Sequence, residues 1–165
     1  MVGNDLLNQI IIEKEILNPA EVLSLLSKGM NSVFIRTNAQ QPSNPDLGTE
    51  IKDGMDMVLC TFNEDLSKLE FAGARNPLYY VRDGILTEIK GDRQPIGGRI
   101  DFNCIFTKHE IDLQKGDTIY LFSDGYSDQL GGTREKKFMA KNFKQLLVEI
   151  NNKNLAVRQF AERQA

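Results

Sequence analysis

The segment Asp117-Thr-Ile-Tyr-Leu-Phe-Ser-Asp-Gly-Tyr-Ser-Asp128 carries the residues best suited to chemistry. Its apolar stretch reads as a strand that delivers Asp124 to its end, and Gly125 removes a side chain that would crowd anything bound there. Asp128 follows four residues after Asp124, so a helical turn past Gly125 brings both carboxylates onto one face. Two carboxylates placed together repel unless a cation sits between them, and hard Mg²⁺ or Mn²⁺ suits such oxygen ligands. Asp-Gly is also an ordinary turn dipeptide, and that bland alternative stands beside the metal reading.

A second acidic cluster is Asp53-Gly54-Met55-Asp56. Turn chemistry accounts for Asp53-Gly54, whereas Asp56 inside an apolar strand would require partners or a metal. Phe71-Ala-Gly-Ala-Arg-Asn-Pro-Leu78 joins two strands through small residues, either as a plain connection or as an active-site rim carrying Arg75 and Asn76. Gln94-Pro-Ile-Gly-Gly98 reads as a turn, and His109, alone between Lys108 and Glu110, as a surface or structural residue. Cys60 and Cys104 are far apart with no C-x-x-C, so they read as core thiols rather than a disulfide framework or zinc site. The serine-hydrolase elbow, the P-loop, the dinucleotide fingerprint and the zincin helix are all missing from the sequence.

Elements that could position these groups follow from periodicity. Leu6, Leu7, Ile10, Ile11 and Leu17 recur near helical spacing over Asn4 to Leu17. Asn18-Pro19-Ala20-Glu21 restarts a helix: Asn18 can accept from orphan backbone donors, Pro19 loses nothing at the first position and Glu21 completes a capping box. The stripe Val22, Leu23, Leu26, Met30, Val33 and Phe34 carries that helix to about Arg36 as core-facing surface. A polar loop covers Asn38 to Thr49. Strands are expected at Met55 to Phe62, Lys68 to Ala72, Leu78 to Val81, Ile85 to Ile89, Cys104 to Ile111 and Thr118 to Phe122, with Asp83-Gly84 the clearest hairpin turn. Helical periodicity returns over about 135–165, in two helices. Helices over about 4–36, antiparallel strands over about 55–122 and helices again make the chain α+β, as one domain over residues 1–165.

Composition narrows the function. With 165 residues, a single core is the expectation. A net charge of −3 gives no ground for nucleic-acid affinity, and no apolar run is long enough for a membrane helix. The first residues lack the pattern of a secretory signal, and two cysteines without a disulfide framework fit a reducing cytoplasm. Residues 134–165 carry eight Lys/Arg against three Glu, as a solvated helix face or as a docking patch for an acidic or phosphorylated partner.

Five segments together, Asp53-Gly-Met-Asp-Met-Val-Leu-Cys60, Phe71-Ala-Gly-Ala-Arg-Asn-Pro-Leu78, Gln94-Pro-Ile-Gly97, Lys115 to Gln129 around Ser123-Asp124-Gly125, and Lys137-Phe138, resemble the SpoIIE/RsbU branch of the metal-dependent, PPM-type protein serine/threonine phosphatases. The resemblance implies an antiparallel β-sandwich flanked by helices, with carboxylates binding two or three Mg²⁺ or Mn²⁺ ions at one end. In that family a metal-activated water attacks the phosphorus of a phosphoserine or phosphothreonine, usually on an anti-sigma-factor antagonist of the STAS type. By position, Asp124 beside Gly125 matches a bridging metal ligand, Asp128 the aspartate of an additional weaker metal, and Asp56 a strand motif beside the site. Family members begin with a strand ending in Asp-x-Thr-Gly-His-Gly and finish with a strand bearing a further Asp. Neither segment occurs here, so the expectation is an incomplete sandwich, weakly active or inactive by itself, whose unpaired strand edge favours homo-oligomers. The competing expectation is a non-catalytic phosphatase-like module that docks a STAS-type or phosphorylated partner.

Overall fold

Helix α1 (Val2–Asn8) passes into a π-helical turn at Gln9–Glu13, and Glu15, at φ 54°, takes the chain out of helical conformation. The single helix expected over Asn4 to Leu17 is thus cut short before the cap that starts helix α2 (Pro19–Ala39). The computed structural model describes residues 2–39, 54–98, 104–125, 128, 130–131 and 136–162. The Asn18 half of the expected capping box forms: Oδ1 accepts from the backbone N–H of Ala20 at 3.0 Å and of Glu21 at 3.3 Å, satisfying two orphan donors of the first turn. Asp53 and most of the polar loop between α2 and the first strand lie outside the described residues.

Eight strands follow among the described residues: β1 (Met57–Phe62), β2 (Lys68–Ala74), β3 (Leu78–Arg82), β4 (Ile85–Ile89), β5 (His109–Asp112), β6 (Thr118–Tyr120), β7 (Leu130–Gly131) and β8 (Lys136–Lys137). Helix α3 (Ala140–Glu162) ends the described chain. Pairing is antiparallel throughout these strands, in sheets ordered β1-β2-β5, β4-β3-β6 and β7-β8. Antiparallel sheets with helices make the chain α+β, as expected. It divides into two compact units, one of residues 1–77 and 90–113 and the other of residues 78–89 and 114–165.

In the first unit α2 lays Val22, Leu23 and Leu26 into a buried cluster with Ala72 and Ala74 of β2, Ile96 and Phe106. Each of the Val, Leu, Ile and Phe side chains contributes roughly 1.5–3 kcal/mol by leaving water. The same helix face carries hydroxyls that fasten loops. Ser24 Oγ donates to the Ala20 carbonyl and accepts from the Phe106 N–H at 3.2 Å, and Ser27 Oγ accepts from the Gly97 N–H at 3.0 Å. These bonds explain one departure from expectation. Phe106 donates its N–H to Ser24, and Thr107 donates its own to Asp92 Oδ2 at 2.7 Å, so neither is available to a ladder and β5 begins only at His109. Similarly, Met55 exchanges both backbone bonds with Ile96, at 2.9 and 2.8 Å, and β1 begins at Met57 rather than Met55.

In the second unit Asp83 (φ 51°) and Gly84 (φ 76°) both take the left-handed conformation that a two-residue hairpin requires, pairing Arg82 with Ile85. Phe143, Leu147 and Asn151 recur along one face of α3 and are buried, Asn151 Nδ2 donating to Thr118 Oγ1 at 2.8 Å. Nothing breaks that helix between its expected halves, because no Gly or Pro falls within it. Arg82 grips Asp117 with two bonds, Nε to Oδ1 at 2.9 Å and Nη2 to Oδ2 at 2.6 Å, and the Gln114 N–H also donates to Oδ2. The Asp117 side chain is 5% exposed.

Arg82 first, and the Gln114 amide after it, hold the Asp117 carboxyl below its ordinary value of 3.8. A carboxyl depressed in the folded state stabilises the fold above that ordinary value and loses the effect as pH falls through the folded one. Asp117→Asn is therefore expected to lower Tm at pH 7, with the gap to the unaltered protein closing below about pH 4, as followed by circular-dichroism melts across pH.

Candidate functional site

Strand β6 stops at Tyr120, where its register with Tyr79 of β3 ends, two residues short of the expected Phe122. Phe122 nonetheless anchors the exit. Its ring lies 4.6 Å from that of Tyr79 and 4.9 Å from that of Phe143, the latter edge-on. Such aromatic pairs add about 0.5–1.5 kcal/mol beyond burial, enough to fix where the next residues emerge. Those are Asp124 and Gly125, in a turn closed by the Asp128 N–H donating to the Asp124 carbonyl at 2.9 Å. The one-turn spacing read from the sequence is therefore present, and Asp124, Gly125 and Asp128 are all exposed. Among the described residues, a Cβ added at Gly125 would meet only Ser123 Oγ, at 3.5 Å.

Lys137 Nζ lies 3.0 Å from Asp128 Oδ2. Asp56 is not the inward strand carboxylate that the sequence suggested. It precedes β1, is exposed, and sits 3.8 Å from Arg75 Nη1, so its charge is accommodated without a metal. Among the described residues no three His, Cys, Asp or Glu side chains gather into a group that could hold a metal ion. Asp124 and Asp128 are right in kind for Mg²⁺ or Mn²⁺, but a hard cation takes about six oxygen ligands, and one of the pair already faces an ammonium group. The described residues therefore do not by themselves fit a bound metal.

In the first unit Arg75 helps line a cleft of about 700 Å³, together with Gly54, Asp92, Arg93, Gln94 and Ile105. Its backbone has φ 60°, a conformation that costs a residue with a Cβ about 1 kcal/mol or more. Neighbouring backbone holds it there. The Arg75 N–H donates to the Asp92 carbonyl at 2.7 Å, and the Asp92 N–H donates to the Gly73 carbonyl at 2.8 Å. Gly73 and Gly91 allow this approach: an added Cβ would fall 2.3 Å from the Asn76 carbonyl oxygen at the first and 2.5 Å from the same atom at the second. Asn76 thus contributes its backbone to the scaffold and does not line the cleft. The sequence reading missed Asp92 and Arg93; the signal was the turn-like Gly91-Asp92 directly before an arginine.

His109 stacks on Phe71, with ring centroids 5.6 Å apart, as a structural residue. Burial pushes the Cys60 thiol up to about 11, so it stays protonated and unreactive at neutral pH. No described helix is long and apolar enough to cross a membrane.

The sequence matches the family model described as stage II sporulation protein E (SpoIIE) over residues 6–162. The chain belongs to the SpoIIE family. Among solved structures, the SiaA-PP2C domain of Pseudomonas aeruginosa is similar at 27% identity with a TM-score of 0.70, over 90% of this chain and 52% of that one. The phosphatase domain of the cell-fate determinant SpoIIE from Bacillus subtilis, presoaked with Mn, aligns over 88% of this chain and 53% of its own at 16% identity, and its TM-score of 0.40 is too low to carry a fold comparison. No protein of curated function matches significantly. This SpoIIE-family chain has a PP2C-type phosphatase fold and spans about half the length of the solved chains it matches.

Gly73→Ala is expected to destabilise the protein by about 2–3 kcal/mol, because its new methyl meets backbone that cannot swing aside. Urea unfolding would show the midpoint fall; a midpoint within error of the unaltered protein would mean that the Gly73–Asn76 contact is slack.

Proposed function

We propose that this SpoIIE-family domain serves the hydrolysis of phosphoserine or phosphothreonine on a regulatory protein of the anti-sigma-antagonist, STAS-like kind, in bacterial cytoplasmic signalling. The observation that carries the reading is the Asp124-Gly125 turn with Asp128 one turn on, held at the exit of β6 in a chain that matches the family over residues 6–162. Dependence on Mg²⁺ or Mn²⁺ belongs to the same reading. Because the described carboxylates are too few to cage an ion, the activity of this chain alone is proposed to be weak. In this reading Asp124 and Asp128 would bind and orient the reacting groups.

A second reading is a phosphatase-like module that binds a phosphorylated or STAS-type partner without hydrolysing it. The Lys137–Asp128 pair favours it, for there an ammonium group already answers the charge that a cation would. Self-association through an open strand edge is compatible with either reading.

Both are separated by one pair of measurements on the purified chain. With Mn²⁺ and a phosphoserine peptide, slow turnover is expected, abolished by Asp124→Ala or by EDTA, alongside Mn²⁺ binding heat that Asp124→Ala reduces by about tenfold or more in affinity. Turnover surviving both treatments would place the chemistry elsewhere; peptide binding with neither turnover nor Mn²⁺ heat would favour the docking module.

A further inference from the structure

Among the described residues, the cleft in the first unit presents two guanidinium groups, one without an ion pair and one only loosely paired. Arg93 is exposed and forms no ion pair among the described residues. Arg75 has only the 3.8 Å approach of Asp56, beyond hydrogen-bonding distance, so its donors are not consumed. The acid nearest in sequence to Arg93, Asp92, also lines the cleft but is engaged by Thr107. Asp92 Oδ2 accepts the Thr107 N–H at 2.7 Å, and Oδ1 accepts the Thr107 hydroxyl at 3.0 Å, so both of its oxygens are committed to the loop wall. Gln94 donates an amide N–H to the Ile105 carbonyl at 2.6 Å, joining two residues of the cleft wall.

These groups are held, not draped. Arg75 sits at a left-handed φ fixed by the Asp92 and Gly73 backbone bonds, and Gly54 lies so close to Pro95 that a Cβ would fall 2.7 Å from that ring. A strained backbone carrying a cation into a polar cleft is the kind of outlier that points to ligand binding rather than to packing. Guanidinium forks match tetrahedral oxyanions, to which they donate paired, charge-assisted hydrogen bonds.

We infer that the cleft bordered by Arg75 and Arg93 is a binding site for a phosphate group. This goes beyond the phosphatase reading, which places its carboxylates in the turn after β6, and it requires no metal. The phosphate could belong to a phosphorylated side chain or arrive as the free anion; the recognition chemistry is shared.

The test is calorimetric titration of the whole chain in EDTA, first with inorganic phosphate and then with a phosphoserine peptide and its unphosphorylated twin. Saturable phosphate binding in roughly the millimolar range is expected, weakened about tenfold or more by Arg93→Gln or Arg75→Gln, and unchanged by Lys28→Gln at an exposed position of α2. Arg93→Lys should recover part of the loss, and thermal melts confirm that each variant folds; Arg93, being exposed and without an ion pair among the described residues, is the variant least able to disturb the fold. A phosphopeptide that binds more tightly than phosphate, through the same arginines, identifies a phosphorylated side chain as the source, while equal or weaker binding identifies the free anion. No saturable phosphate binding, or binding indifferent to Arg93→Gln, overturns the proposal. With EDTA present throughout, these outcomes do not depend on whether the chain hydrolyses anything.

Discussion

Negative charge gathered on a short stretch of backbone has to be answered by positive charge or by donors, and much of this molecule is arranged around that requirement. Asp117 meets Arg82 in a two-bond grip, Asp92 meets the Thr107 amide and hydroxyl, Asp128 meets Lys137 and Asp56 lies beside Arg75. Asp117 is buried and fastens the start of β6 to the end of β3, so its charge is structural. Asp128 and Asp56 are exposed, and exposed pairs of this kind contribute about 0–1 kcal/mol, little enough that a better counter-ion could replace the side chain. The difference between a fixed pair and an exchangeable one is therefore a difference in burial, and it separates the acids that hold the fold from those that remain open to ligands.

Backbone proximity is the second constraint, and it shapes the arginine cleft. Gly73 and Gly91 bring two chain segments within contact of the Asn76 carbonyl, closer than any side chain would permit. From that contact follow the bridge between Ala74 and Asp92, the left-handed backbone of Arg75 and the outward course of Arg93. The same kind of economy operates in the second unit, where Phe122 between Tyr79 and Phe143 fixes the point from which Asp124 departs. In both places rigid packing sits immediately behind exposed polar groups, the arrangement by which a scaffold holds functional loops.

Membership of the SpoIIE family, with a PP2C-type fold, gives these local features their context. The chain covers about half of the solved chains it resembles, and the carboxylates described in it fall short of a metal cage. A set of described carboxylates too small for a metal cage and a PP2C-type fold are physically compatible, because the hydrophobic clusters around α2 and α3 draw nothing from the acids of the turn.

What the sequence determined by itself was local. The Asn18 cap, the Asp83-Gly84 hairpin, the apolar stripe of α2 and the one-turn spacing of Asp124 and Asp128 each depend on residues a few positions apart, where propensity and periodicity act directly. The α+β class and the family resemblance were legible for the same reason, being patterns along the chain. Tertiary structure decided what depends on distant partners. The N–H of Phe106 leaves the ladder for Ser24 on a helix 82 residues away, Met55 pairs with Ile96 instead of joining β1, and Asp56 finds Arg75 at the surface rather than a buried metal. The cleft joining Arg75 to Arg93 could not be read along the chain either, since it exists only because two glycines let separate segments of backbone touch.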